Sequence, residues 1–334
     1  MHSKKFKTII IVIVLLFVLA YLLTLNAGKK AKEFTYGVTF SVPYAQNLGL
    51  DWQYVYVDMM ENLNVKVVRV SAYWNRLESQ DDEYNFDELD FQVREAEKRD
   101  VGIILAVGRR LPRWPECHEP EWATKLPQEA RQNALLSYVE AVVRRYKDSP
   151  AIKYWQIENE PFLSSFGICP KLDPELFDSE IALVKKLDPV RPVLITDSGE
   201  LSSWLSASKR GDVFGTTLYR YVYSDVLKRY WTNYIPSWFY RLKAGYVRVL
   251  HPGKKIIIAE LEAEPWTTSG ITQTSIDEQF KTMSLEKFKT IVRVAQKTGF
   301  EEQYLWGVEW WYWMKNQNHP EFYNEAKRLF SEGR

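Results

Sequence analysis

Eight short runs rich in β-branched and aromatic residues recur along the chain, and longer segments of helical spacing separate them. The runs are "YGVTFS" (36–41), "KVVRVS" (66–71), "VGIILAV" (101–107), "AIKYWQIE" (151–158), "RPVLITD" (191–197), "DVFGTTLY" (212–219), "KKIIIAE" (254–260) and "EQYLWGVE" (302–309). Between them Leu135, Val139, Val142 and Tyr146 recur at three or four residues, as do Ile276, Phe280 and Met283 behind the cap residue Ser275. Asn85 ahead of "FDELDFQVREAEKR" reads as a helix start, and Gly299 after "FKTIVRVAQKT" as a stop. Strand and helix alternating eight times within about 300 residues predicts a single (β/α)₈ barrel over 35–334. The competing architecture, a doubly wound open sheet, calls for a glycine-rich phosphate loop after a strand, and none is present.

Ahead of this domain the expected order is a short basic tail (1–7), a transmembrane anchor (8–28) and a linker (29–34). The stretch from Thr8 to Gly28 carries no charge and is bracketed by Lys4, Lys5 and Lys7 on one side and by Lys29, Lys30 and Lys32 on the other. About 20 residues at 1.5 Å rise cover the ~30 Å of a bilayer core. A cleaved signal peptide has a shorter apolar region ending in a small-x-small site, which "LTLNAG" matches poorly. The lysines flank both ends almost equally, so they give no orientation. The expectation is a single-pass protein of the cell membrane with its barrel outside the cytoplasm.

Charge narrows the partners. Forty-four basic residues against 43 acidic ones leave no overall field to attract nucleic acid. The 13 Trp, 20 Tyr and 16 Phe are more telling, with Trp crowded into "PRWPECHEPEW" and "LWGVEWWYW". Such rings fill cores, and they also suit the faces of planar or ring-shaped ligands, which makes Trp114 a candidate substrate contact. The four histidines never approach metal-ligand spacing, so neither a metal nor another cofactor is indicated.

In such barrels chemistry gathers at the C-terminal ends of the strands. Asn159 and Glu160, in "YWQIENEP", follow directly on the fourth run. Along the seventh, strict alternation assigns Ile256, Ile258 and Glu260 to one face, with Glu260 the last of that set. Two glutamates at one barrel mouth are what glycosidic cleavage requires: one protonates the leaving oxygen, the other attacks the anomeric carbon or activates water there. The plain alternative makes Glu158 and Glu160 rim charges in a structural ion pair. Arg69, in the middle of the second run, needs a buried partner whether or not chemistry occurs. "DSGE" (197–200) reads as a turn, and His118 has no partner evident in sequence.

At these residues the chain resembles the large clan of retaining (β/α)₈ glycoside hydrolases that includes cellulases, mannanases and β-galactosidases. The resemblance rests on Asn159-Glu160-Pro161 after strand four, Glu260 ending an apolar strand about a hundred residues on, Arg69 in "VVRVSAYW", Tyr219 after strand six and Trp306 on strand eight. It implies Glu160 as acid/base, Glu260 as nucleophile and Asn159 as the group meeting the sugar hydroxyl next to the anomeric carbon. Arg69 and Tyr219 would hold the nucleophile ionised and oriented, and Trp306, or alternatively Trp310, would floor the subsite of the attacked sugar. The chain departs from the clan at two places. Glu260 is followed by Leu261-Glu262-Ala263-Glu264, which makes Glu264 the rival nucleophile if the strand runs longer. Strand three ends in "GRRLPRWPE" where the clan commonly has a His, and Arg109, Arg110 and Arg113 are read there as solvated arginines packing their stems, with an acidic or branched sugar as the alternative ligand. Cys117 and Cys169 fall in the loops after strands three and four, where an exported domain would join them in a disulfide, two buried free thiols being the alternative.

The expected function is therefore a membrane-anchored retaining glycosidase or transglycosylase acting on a β-linked oligo- or polysaccharide. A catalytically inactive carbohydrate-binding barrel at the cell surface is the alternative.

Overall fold

The computed structural model of the protein describes Lys5 and residues 11–12, 14, 18, 21–25, 27–224 and 227–333. Every one of the eight runs forms a strand: β1 (Thr35–Thr39), β2 (Val67–Ser71), β3 (Gly102–Val107), β4 (Ile152–Ile157), β5 (Val193–Asp197), β6 (Val213–Leu218), β9 (Lys255–Glu262) and β10 (Glu302–Trp306). They close into one parallel barrel in the order β1-β10-β9-β6-β5-β4-β3-β2. An antiparallel hairpin, β7 (Tyr221–Ser224) with β8 (Arg229–Thr232), is inserted after β6.

Alternation along the strands divides the core in two. Val67, Ile104, Tyr154, Leu194, Val213, Ile257 and Tyr304 pack together inside the barrel, while the residues between them, such as Val68, Ile103, Trp155 and Ile256, join the larger core. Gly37 makes room for this filling, since a Cβ there would stand 2.6 Å from the Tyr304 ring. The outer layer is built on the expected helical stripe: Leu135, Val139, Val142 and Tyr146 are all buried on helix Gln128–Tyr146.

Several boundaries differ from the expected ones for local reasons. The eighth run stops at Trp306 because Gly307, at φ +124°, turns the chain into helix Val308–Asn316. Ser275 caps only the four-residue helix Ile276–Gln279, and Ser284 caps a separate helix, Leu285–Thr298, which ends at Gly299 in the left-handed region. Asn85 acts one position upstream of the N-cap Phe86, its Oδ1 accepting from Asp87 N at 2.9 Å.

About half of the expected anchor, 8–28, lies outside the described residues, and among the described residues no helix is long and apolar enough to cross a membrane. Tyr21–Leu25 are helical. The segment that follows is not a free linker: Ala27 is buried, Arg241 Nη2 donates to Gly28 O at 3.1 Å, and Ala31 N donates to Gly299 O at 3.0 Å. Gly245, on helix Ser237–Leu250, lies so close to Leu23 that a Cβ would stand 1.8 Å from its carbonyl oxygen.

Candidate active site

Arg69 organises the barrel mouth. It is fully buried on β2, and its guanidinium donates from Nη1 to Glu260 Oε1 (2.7 Å), from Nη2 to Asn159 Oδ1 (2.6 Å) and from Nε to Gln156 Oε1 (2.7 Å). A buried cation is tolerated only when paired and hydrogen-bonded, and each of its three nitrogens has an acceptor. Tyr219 donates to the other oxygen of Glu260 at 2.9 Å. Glu260 is thus gripped on both oxygens by the two neighbours expected for it.

The route by which Glu260 reaches the interior differs from the expected one. Ile257 points into the barrel and Ile256 and Ile258 point out toward the helices, so simple alternation would send Glu260 outward as well. A bulge corrects this: the pairing of β9 slips by one residue against both neighbours, between Ile258 and Glu260 on one side and between Ile258 and Leu261 on the other. The extra residue reverses the parity and brings Glu260 to the site. The strand does run two residues longer than expected, yet Glu264 goes elsewhere, bonding Arg113 and accepting from Trp306 Nε1 at 2.7 Å. Between them Glu262 accepts the backbone N–H groups of Arg220 and Tyr221.

The turn after β4 is strained, with Glu158 at φ +57° and Glu160 at φ +44°. Such conformations cost about 1–3 kcal/mol each and persist where surrounding bonds over-determine them. Glu158 accepts from Arg109 N (2.8 Å) and Arg110 N (2.5 Å), so it fastens the neighbouring loop and is not a rim ion pair. Glu160 N donates to Thr196 Oγ1 at 2.9 Å, while Oε1 of Glu160 is buried with no hydrogen-bond partner. Burial holds this carboxyl well above the usual carboxylate range, and the nearby Glu260, Glu116 and Asp197 raise it further.

Glu116 was not legible as a site residue. It sits in the loop after β3, where Asn159 Nδ2 donates to its Oε2 at 3.1 Å, and burial together with Glu260 pushes it up to about 8. Cys117, next in the chain, forms a disulfide with Cys169, and Gly167 packs against the Glu116 stem. Gln156 and Thr196 were missed too, although Gln156 shares the inward parity of Tyr154.

The arginines of this loop are not solvated. Arg110 donates to the carbonyls of Leu163 (2.7 Å) and Phe166 (2.8 Å), and Arg109 approaches Glu119 at 4.0 Å. His118 Nε2 donates to Arg113 O at 3.1 Å, and burial lowers its pKa to about 4, so it is neutral. Trp306 lies at the mouth, one face covered by the Arg113 guanidinium at 4.2 Å. Trp310 does not: it is fully buried, donates to Gln279 and packs on Phe322, because the turn at Gly307 carries it into the helical layer. Trp114 is 63% exposed and begins an aromatic chain running through Phe166 and Trp266 to Tyr219, with ring centroids 5.7 to 6.0 Å apart. In "DSGE", Glu200 accepts from Tyr219 N and Tyr240 Oη, so the turn braces the residue that grips Glu260.

Fold and mouth together define the class of (β/α)₈ glycoside hydrolases. Within it the chain belongs to one family: the pattern described as Glycosyl hydrolases family 2, TIM barrel domain, matches residues 46–322. A probable mannan endo-1,4-beta-mannosidase F of Emericella nidulans is 29% identical over 127 residues, which are 35% of this chain and 28% of that protein. The chain thus matches little more than a quarter of that relative's length. Among solved structures, a cold-adapted β-galactosidase of Rahnella sp. R3 superposes with a TM-score of 0.60 at 14% identity, covering 91% of this chain and 56% of the other. An endo-β-1,4-xylanase of Gloeophyllum trabeum gives 0.53 at 16%, covering 83% and 84%. These two show the likeness of fold.

Proposed function

We propose that the protein is a retaining glycoside hydrolase of β-linked oligo- or polysaccharides, with Glu260 as nucleophile and Glu160 as acid/base. The observation that carries the reading is the contrast between the two carboxyls: Glu260 has both oxygens bonded by Arg69 and Tyr219, whereas Glu160 is buried with an oxygen left unpartnered. The first arrangement favours an anion aimed at the anomeric carbon, and the second favours a proton held for the leaving oxygen. In the first step Glu260 attacks, the glycosidic bond breaks, and the Glu160 proton passes to the departing oxygen. In the second, Glu160 takes a proton from water, which displaces Glu260 from the sugar. Asn159, its carbonyl held by Arg69, presents its amide nitrogen to the neighbouring hydroxyl. Trp114, Phe166 and Trp266 offer faces to further sugar units. The mannosidase name of its sequence relatives favours a β-linked hexose.

The test is intact-mass analysis of the protein with a panel of activated 2-deoxy-2-fluoro glycosides. A stoichiometric adduct that peptide mapping assigns to Glu260 is expected, and the sugar that labels fastest names the substrate. Labelling at Glu264, or no labelling by any sugar of the panel, overturns the assignment. An inactive carbohydrate-binding barrel would bind sugars without forming an adduct.

The lysine-bracketed apolar run at 8–28 supports a membrane tether, and the packing of Leu23 on Gly245 would hold the barrel close to the bilayer. The protein should stay in the membrane pellet after alkaline carbonate extraction, with its barrel open to protease from the outer face. Release into the supernatant, or a native N-terminus within 26–33, would replace the anchor by a cleaved signal.

A further inference from the structure

Far from the mouth, where the N-terminal segment meets helix Ser237–Leu250, two arginines stand without a carboxylate. Arg241 and Arg248 lie two helical turns apart on either side of Gly245, the residue that Leu23 packs against. Arg241 donates from Nη1 to Thr298 O at 3.0 Å and from Nη2 to Gly28 O at 3.1 Å. Arg248 lies over Gly28, where a Cβ would stand 2.2 Å from its Nη1. Its Nε makes only a long bond to Lys254 O, at 3.4 Å, and its Nη1 is buried with no hydrogen-bond partner. Neither guanidinium forms an ion pair among the described residues, and burial followed by the charge of Arg241 lowers the pKa of Arg248. The exposed Lys29, Lys30 and Lys32 add further positive charge beside them.

Two half-buried cations that repel each other, one with an unused donor, cost stability until an anion joins them. The planar fork of a guanidinium matches a phosphate group. The surroundings say which phosphate. Trp238 and Val249, seven residues before and four after Gly245, share its face of the helix and are 58% and 55% exposed. A Trp suits the headgroup level of a bilayer and an aliphatic side chain its acyl boundary, whereas a free phosphate would leave both bare. The uncharged run that ends at Gly28 arrives at the same spot.

We propose that Arg241 and Arg248 seat the phosphate of an anionic phospholipid, and that this contact sets the barrel on the bilayer by its closed end. This rests on the tether reading above and adds to it a lipid partner and an orientation. Helix Ser237–Leu250 returns the chain to Lys255, the first residue of β9, so Arg248 lies toward the N-terminal ends of the strands, opposite the mouth that holds Glu160 and Glu260. Seated in this way, the barrel opens its mouth away from the membrane, toward a polysaccharide in the surroundings.

The experiment records melting curves of the full chain in a neutral detergent, with phosphatidylglycerol, phosphatidylcholine or inorganic phosphate added in turn. Phosphatidylglycerol should raise Tm by at least about 3 °C, and phosphatidylcholine or millimolar phosphate by less than about 1 °C. Arg248→Gln should abolish that rise. Without lipid it should melt at or above the wild-type temperature, because an unpaired cation is gone, and it should hydrolyse an aryl glycoside at the wild-type rate. Lys32→Gln removes the same charge from an exposed position and should keep the rise. An equal rise with phosphatidylcholine or with inorganic phosphate overturns the proposal, a result that the wild type alone delivers even where a variant does not fold. So does a folded Arg248→Gln that keeps the rise, or a Lys32→Gln that loses as much of it. Release of the chain by alkaline carbonate fells the tether reading and this orientation with it, whereas a chain that stays in the pellet yet melts alike with both lipids fells this inference alone.

Discussion

The two walls of the barrel mouth treat buried carboxyls in opposite ways. On the β10 and β1 side, Glu264 and Glu309 converge on one guanidinium that stacks between two rings. Burial pushes Glu309 up to about 7 even with Arg113 drawing it down, but both carboxylates there have partners and the arrangement is a closed block. On the β4 side, Glu160, Glu116 and Asp197 lie together, and the loop cation Arg110 gives its terminal nitrogens to the carbonyls of Leu163 and Phe166, leaving only its Nε, 3.8 Å from Glu116 Oε2, to offset them. Those carboxyls are driven toward the neutral form, Glu160 and Asp197 chiefly by burial. Satisfied charge makes a wall, whereas crowded, under-compensated carboxyls make a reservoir of protons. Arg69 stands between the regimes and keeps one carboxylate, Glu260, fixed at the boundary.

Removing the proton reservoir should have the largest effect. Glu160→Gln should lower kcat on substrates with poor leaving groups by about 10²- to 10⁴-fold, the usual span for a general acid, and should spare the first step with activated leaving groups. Burial and the Glu260 charge raise the pKa of Glu160, so the wild type should lose activity as pH rises through it, and the variant should lack that alkaline limb. A Glu160→Gln variant with the wild-type pH profile would mean that the proton comes from elsewhere and that the contrast between the walls has no catalytic meaning.

How far this contrast could be read in advance depends on what fixes each residue. The eight strands were legible because apolar runs bounded by helical spacing are a local pattern, and the position of Glu160 was legible because it ends such a run. Glu260 was assigned to the mouth on a parity argument that the bulge in β9 reverses, and nothing in "IIIAELE" announces a bulge. Glu116 and Arg113 depend on a loop whose shape is tertiary: both have positive φ, +73° and +85°, and their place is set by the disulfide, the Gly167 contact and the carboxylates of distant strands. Trp310 departs from the expected subsite because of one residue. Gly307 breaks the strand, and its missing Cβ, which would stand 2.4 Å from Glu264 Cβ, is what lets Glu264 lie beside Trp306. A glycine directly after the strand's last aromatic was the available signal.

The smallest predicted effect sharpens the comparison without touching the reacting atoms. Glu116 titrates near its ordinary 4.5 in an unfolded chain and at about 8 in the folded one, raised by burial and by Glu260 and eased downward by Asn159, Arg110 and Arg69. Below about 4.5 both states hold the proton, and the group contributes no pH dependence. Between about 4.5 and 8 the folded state keeps a proton that the unfolded chain has released, so stability falls as pH rises through that window and the loss is complete above it. Glu116→Gln keeps an acceptor for Asn159 Nδ2 and cannot ionise, so it removes this dependence. The variant should match the wild type near pH 4.5 and exceed it by on the order of 1 kcal/mol or more near pH 8.5, read from denaturant melts at both pH values. Parallel stability curves would show that Glu116 is already ionised and compensated in the native protein. The β4 wall would then resemble the Arg113 block after all.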